Sequence, residues 1–116
     1  MADRRKHKRW LLNANFEAYT DKRDKTLGYM AEISYGGMML VAKEPIQTNI
    51  IMPLRVSLEN AKVDKREIKV VTQVVRCHKD EDLELFKTGF RLIDLSTETR
   101  DIIDQLIQVN AVEQNE

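Results

Sequence analysis

The sequence is poor in cysteine and has no long apolar run. Its single cysteine, Cys77, leaves the chain of 116 residues without an internal disulfide. No apolar stretch approaches the ~20 residues that span a bilayer, and the N-terminus lacks the apolar segment of a signal peptide. We therefore expect one soluble domain in the reducing cytoplasm.

Residues typical of enzyme sites are also scarce. The only histidines are His7 and His78, and His78 directly follows Cys77, so on a strand their side chains point to opposite faces. The sequence has neither a P-loop nor a dinucleotide-binding glycine pattern. Its many carboxylates are scattered, as on a solvated surface. We therefore predict that the protein is not an enzyme and binds no metal.

Alternating apolar residues predict strands through the middle of the chain. In residues 27–34 one face carries Leu27, Tyr29, Ala31 and Ile33, and the other carries Gly28, Met30, Glu32 and Ser34. Gly36 and Gly37 then give a turn signal. Further strands are indicated at residues 38–42, 50–59, 68–77 and 84–93. In the third of these five strands, Pro53 suggests an edge position or a bulge.

The period changes to a helical one near the C-terminus. Ile102, Ile103, Leu106 and Ile107 have helical spacing, and Ser96 is a suitable N-cap. The sequence thus predicts an all-β dominated fold: a basic arm at 1–10, a small antiparallel β-barrel at 11–95, a C-terminal α-helix at 96–109 and a frayed tail at 110–116.

Positive charge is concentrated in the arm. Residues 1–9 hold five basic side chains and one acidic one, a net charge of +4, whereas the remaining residues carry 14 basic and 18 acidic groups. An anionic partner is therefore expected at the arm. Arg5 and Arg9 are four residues apart, so they share a face on a helix or on an extended chain. Two such guanidinium groups can bind phosphate, address guanine O6 and N7, or stack on a base.

A second polar group occurs in the sequence EISYGG, residues 32–37. The Glu32 carboxylate can accept hydrogen bonds from guanine N1–H and N2–H, and the Ser34 hydroxyl can bind phosphate or a base. Gly37 allows a tight turn or a close approach of the backbone to a ligand.

Together these two segments resemble the PilZ domain, a bacterial receptor module for cyclic di-GMP. Its signature is RxxxR in an N-terminal arm followed by [D/N]xSxxG at a strand end. Residues 5–9, RKHKR, match the first motif, and EISYGG matches the second at Ser34 and Gly37, with Glu32 in place of Asp or Asn. Residues 88–100 look like the family's last barrel strand running into its helix. The resemblance covers roughly residues 3–107.

The resemblance implies a six-stranded barrel with a flexible arm and a non-catalytic receptor for cyclic di-GMP. Arg5 and Arg9 would hold guanine edges and phosphates, Glu32 and Ser34 would contact the other side of the ligand, and Gly37 would shape the turn. Arg4 stands where the family's binding of an intercalated cyclic di-GMP dimer is associated with an arginine. No cofactor is implied. The signal would pass, as the arm becomes ordered, to a protein partner in trans.

Two alternatives remain open at this point. A basic arm on a β-barrel is also found in small RNA-binding proteins, although the barrel segment here is acidic and lacks interleaved exposed aromatic residues. The replacement of Asp or Asn by Glu32 also permits a PilZ-like adaptor that has lost nucleotide binding and acts only through protein contacts.

Overall fold

The computed structural model describes residues 10–20, 25–59, 61, 63 and 65–113. These residues form seven strands and one helix. In chain order the elements are β1 (Trp10–Thr20), β2 (Thr26–Ile33), β3 (Gly37–Ala42), β4 (Ile51–Ser57), β5 (Glu67–Asp80), β6 (Leu85–Ile93), α1 (Thr97–Asn110) and β7 (Ala111–Glu113).

Six of the strands close into an antiparallel barrel. Their order is β2-β3-β6-β5-β4-β1, and β1 also pairs with β2 to complete the ring. The predicted six-stranded barrel with a C-terminal helix is therefore confirmed. Residues 1–9 of the predicted arm lie outside the described residues.

Aliphatic and aromatic side chains fill the barrel. Leu54 and Val56 on β4, and Leu58 directly after it, are buried as their alternation predicts, whereas Ile51 is exposed. Two buried threonines satisfy their hydroxyl groups inside the barrel. Thr72 donates to the carbonyl of Met52 at 2.7 Å, and Thr88 donates to the half-buried Cys77 Sγ at 3.2 Å. The core is the following cluster: Phe16, Ala18, Met30, Ile33, Met38, Leu40, Ile46, Leu54, Val56, Leu58, Ile68, Val70, Val74, Phe90, Ile102, Ile103 and Leu106.

The predicted alternation of β2 is wrong in its first half. Met30 is fully buried and Tyr29 is 42% exposed, the reverse of the prediction. The cause is a β-bulge: Met30 pairs with Leu40 and Glu32 with Met39, which leaves Ala31 as an extra residue. The bulge reverses the alternation, so that Ile33 is buried and Glu32 lies on the outer face of the barrel.

Helix α1 begins where the sequence predicts it. The Ser96 hydroxyl accepts a hydrogen bond from the Thr99 backbone N–H at 3.1 Å, which is an N-cap. Glu98 in the first turn forms an ion pair with Lys65. The buried side of the helix, Ile102, Ile103 and Leu106, completes the core.

The segment after α1 differs from the predicted frayed tail. Ala111–Glu113 form β7, which pairs antiparallel with the first three residues of β1, from Trp10 to Leu12. Those β1 residues offer backbone hydrogen-bonding groups, and pairing satisfies them.

Candidate functional site

A concave site of about 360 Å³ lies on the outer face of the barrel, across strands β2, β3, β6 and β5. Three of the predicted site residues, Glu32, Ser34 and Gly37, line it. The opposite side is lined by Val75, Arg76, His78, Lys87, Gly89 and Arg91. Predicted site residues Arg4, Arg5 and Arg9 lie outside the described residues.

Ser34 organises the turn between β2 and β3. Its hydroxyl oxygen accepts hydrogen bonds from the backbone N–H groups of Gly36 at 3.2 Å and Gly37 at 3.1 Å. Its own N–H donates to the Gly37 carbonyl at 2.8 Å. The hydroxyl proton has only a long contact, 3.4 Å, to that same carbonyl. Ser34 thus holds the turn chiefly as an acceptor, and its O–H donor is weakly engaged.

Gly37 is required by a close approach between two strands. A Cβ built at this position would lie 2.4 Å from the carbonyl oxygen of Phe90 on β6. Its φ angle is not positive, so the constraint is the backbone of β6 and not a left-handed turn. The Leu92 N–H also donates to the Gly36 carbonyl at 2.9 Å. The turn is therefore fixed directly on β6.

Glu32 supplies the carboxylate of the site. The residue is half-buried, and its Oε1 atom is buried. The bulge at Ala31 places it on the outer face of the barrel, opposite the basic residues of β5 and β6. The Glu32 side chain, which is longer than the Asp or Asn of the motif, therefore still reaches the cavity.

One row of residues crosses the cavity from β5 to β2. Arg76 pairs with Gly89, Gly89 pairs with Met39, and Met39 pairs with Glu32. All four line the cavity. A Cβ at Gly89 would lie 3.6 Å from Arg76 Cγ and 3.8 Å from Arg76 Nε. The Arg76 side chain thus extends across the bare backbone of Gly89.

The β5–β6 side of the site is basic. Arg76, His78, Lys87 and Arg91 line it, and Glu32 is the acidic residue among the described lining residues. At the rim, Lys87 Nζ lies 3.2 Å from Asp80 Oδ2. This hydrogen bond, aided by the backbone N–H groups of Leu83 and Asp82, lowers the pKa of Asp80. Such a surface attracts an anion that also offers hydrogen-bond donors to one carboxylate.

The site is connected to the helix through Tyr35. The Arg100 guanidinium of α1 lies 5.0 Å from the centre of the Tyr35 ring, a cation–π contact. Tyr35 lies within the turn that Ser34 organises. The turn is thus braced by α1 as well as by β6.

The start of β1 lies beside the same turn. Trp10 pairs with Ile33, and Leu11 pairs with Glu32. The chain therefore enters the barrel next to the end of β2, one residue from Ser34.

Other site types find no support within the described part of the chain. No group of three or more His, Cys, Asp or Glu side chains there has the arrangement of a metal site. The helix of this region is too short and too polar to cross a membrane.

Sequence reasoning missed the basic half of the site. Arg76, His78, Lys87 and Arg91 lie on strands that were predicted, but their common face depends on strand register. A bulge at Val75, between the pairs Val74–Phe90 and Arg76–Gly89, shifts the alternation of β5. The tripeptide TGF at residues 88–90 carried one signal, a glycine inside a strand.

Comparison with known proteins agrees with this fold. The family model described as PilZ domain matches residues 3–108. A search of curated protein sequences gave no match.

Solved PilZ structures superpose on most of the chain. The inhibitor of motility MotI (DgrA) of Bacillus subtilis has a TM-score of 0.71 at 19% identity, covering 92% of this chain and 51% of its own. The PilZ domain of Escherichia coli YcgR with c-di-GMP gives 0.65 at 18% identity, with 92% of both chains covered. YcgR in complex with c-di-GMP gives 0.71 at 15% identity, covering 92% of this chain and 46% of its own.

This chain thus spans about half the length of MotI and of the longer YcgR chain. At these identities the superpositions establish a shared fold. The family match covers nearly the whole sequence, from the basic N-terminal segment to helix α1. The chain belongs to the PilZ domain family.

Proposed function

We propose that this protein is a non-catalytic receptor for cyclic di-GMP. The observation that carries the proposal is the pairing of Trp10 with Ile33. Trp10 directly follows the RxxxR motif in the sequence, and this residue lies beside the end of β2, next to the turn that Ser34 organises.

The charges and shape of the cavity suit a guanine nucleotide. The basic β5–β6 side attracts phosphate, and Glu32 on β2 can accept from guanine N1–H and N2–H. The weakly engaged Ser34 O–H is a further donor at the edge of the ligand. The two YcgR structures, which contain c-di-GMP, have the same fold.

In this proposal Arg5 and Arg9 bind the phosphates and guanine edges from the arm, while Glu32 and Ser34 bind from the barrel. Gly37 acts indirectly, by letting the turn lie against β6. Arg4 would engage a second ligand molecule in an intercalated dimer.

Binding is measured by isothermal titration calorimetry with cyclic di-GMP on the folded protein. We expect saturable binding, and we expect the double substitution Arg5→Ala with Arg9→Ala to weaken it by about 100-fold, since charge-paired hydrogen bonds are lost. Lys6→Ala with Lys8→Ala removes the same charge from the same arm and serves as the matched control. Absence of binding by the wild type overturns the proposed function, and equal effects of the two double variants overturn the assignment of the arginines.

Two further variants refine the site. Arg4→Ala should reduce the stoichiometry from two ligand molecules to one if the dimer binds. Glu32→Asp should weaken binding by severalfold, because the shorter side chain withdraws the carboxylate from the ligand. A large gain in affinity would instead support an adaptor whose nucleotide site is impaired.

We further propose that the ligand signals by fixing the arm against β2, which a partner protein then recognises. Hydrogen exchange of the amides in residues 3–9 tests this step. Cyclic di-GMP should slow their exchange in the wild type and leave it unchanged in the Arg5→Ala, Arg9→Ala variant.

A further inference from the structure

We propose that Arg76 on β5 reads the guanine base from the side of the cavity opposite Glu32, and so sets the preference for guanine over adenine. The inference deepens the proposed function and rests on it. It concerns a residue outside both sequence motifs.

Arg76 and Glu32 lie at the two ends of the row that runs through Gly89 and Met39. Adjacent strands are about 4.8 Å apart, so three spacings separate their backbones by about 14 Å. The Arg76 side chain extends over Gly89 toward the middle of the row. The space between the Arg76 guanidinium and the Glu32 carboxylate is therefore short. Gly89 and Met39 lie beneath it, and it is open to a planar base.

The Arg76 guanidinium forms no ion pair with another described residue. The ion pairs among the described residues use Arg55, Lys65, Lys79 and Lys87 as cations, and Arg76 is not one of them. Arg76 is exposed at the cavity wall. Its fork of N–H donors is therefore free to face a ligand.

Glu32 and Arg76 are complementary to the hydrogen-bonding groups of guanine. Guanine offers N1–H and N2–H donors to a carboxylate, and its adjacent O6 and N7 acceptors suit a bidentate arginine. Adenine presents an acceptor at N1 and a donor amine at N6. In the same position, the acceptor N1 of adenine would face the Glu32 carboxylate, and the donor N6 amine would face the Arg76 guanidinium. Glu32 and Arg76 therefore both favour guanine over adenine.

Cyclic di-GMP and cyclic di-AMP share one phosphodiester ring and differ only in the base. Titrating both ligands against the full chain therefore isolates base reading from phosphate attraction. We expect Arg76→Ala to lower the affinity for cyclic di-GMP by about tenfold or more and to leave the weaker affinity for cyclic di-AMP little changed. Lys69→Ala removes a charge from an exposed position of β5 outside the cavity lining and should have no such effect.

Two other substitutions separate a base contact from simple charge. Arg76→Lys keeps the charge but loses the planar fork, so the guanine preference should fall as in the alanine variant. Gly89→Val keeps the arginine at position 76 but fills the space beneath its side chain. The preference for guanine over adenine should therefore also fall. Gly89→Ala is its matched control, because a Cβ there meets Arg76 at ordinary contact distances of 3.6 and 3.8 Å.

The outcomes separate this inference from the proposed function. If the wild type binds cyclic di-GMP and all Arg76 and Gly89 variants keep its affinity and preference, Arg76 has no role and the receptor proposal stands. If Arg76→Lys retains the wild-type preference, Arg76 contributes only charge and the base-reading role is overturned. If the wild type binds neither dinucleotide, both proposals fall. Thermal unfolding of each variant verifies that it is folded, and the Arg76 variants decide the question should Gly89→Val not fold.

Discussion

Two rows of residues cross the same four strands on opposite faces of the barrel wall. The inner row, Met30–Leu40–Thr88–Cys77, is packed into the core, and its first three members are fully buried. The outer row, Glu32–Met39–Gly89–Arg76, forms the floor and ends of the cavity. Because side chains alternate along each strand, the inner row stabilises the barrel and the outer row lines the cavity.

Leu40→Ala should have the largest effect on stability. The side chain is fully buried, so its loss leaves a cavity in the barrel and should lower the free energy of unfolding by about 2–5 kcal/mol. Urea denaturation measures the change. Met39→Ala, the next residue along and on the outer face, should cost about 1 kcal/mol or less. Equal losses at the two positions would contradict the division between the rows.

Gly37→Ala should be the next most damaging change. The new Cβ would lie 2.4 Å from the Phe90 carbonyl oxygen, so β3 and β6 must move apart. We expect a loss of about 1–3 kcal/mol in the free energy of unfolding. Gly89→Ala, whose Cβ meets only side-chain atoms at ordinary distances, should change stability far less. If both variants unfold at the same urea concentration, the close approach at Gly37 does not constrain the fold.

Ser34→Ala, in the turn at the end of β2, should lower the free energy of unfolding by less. It removes the acceptor of the Gly36 and Gly37 N–H groups, and we expect a loss of about 1 kcal/mol. Ser57→Ala, on the outer face of β4, is the control. Thermal unfolding compares the two variants, and an unchanged melting temperature for Ser34→Ala would show that the turn does not depend on its hydroxyl.

Asp80→Asn should produce the smallest effect, which is present at neutral pH and disappears at acid pH. The Lys87 hydrogen bond lowers the pKa of Asp80 in the folded protein, so the stabilisation is complete above the unfolded value of about 4 and disappears as the pH falls through the folded value. The variant should therefore lose less stability than the wild type between neutral and acid pH. Asp82→Asn, in the turn that follows β5, is the control, and identical pH profiles for wild type and Asp80→Asn would contradict the role of the pair.

Much of the fold could be predicted because local pattern and global structure agree there. The alternation of residues 50–58 reports directly which side chains of β4 face the core, and Ser96 marks the start of α1. The pattern failed at β2, where Ala31 is an extra residue. A bulge depends on the partner strand, so no period within β2 itself reveals it.

The candidate site divides in the same way. Glu32, Ser34 and Gly37 lie within six consecutive residues, so a local motif could mark them. Arg76 and Lys87 enter the cavity only through the register of β5 and β6, which the sequence does not display. Likewise, β7 forms because the first residues of β1 provide a pairing partner. Its three residues are too few for an alternating pattern to predict a strand.

That short strand makes the two distant ends of the described chain neighbours. Glu113 pairs with Trp10, so a probe attached at residue 113 sits beside the segment through which the basic residues join the barrel. Under the proposed function, a fluorophore at that position would report nucleotide binding without a label on the arm itself. For the same reason, a bulky group attached to β7 would lie beside the start of β1, which pairs with the end of β2.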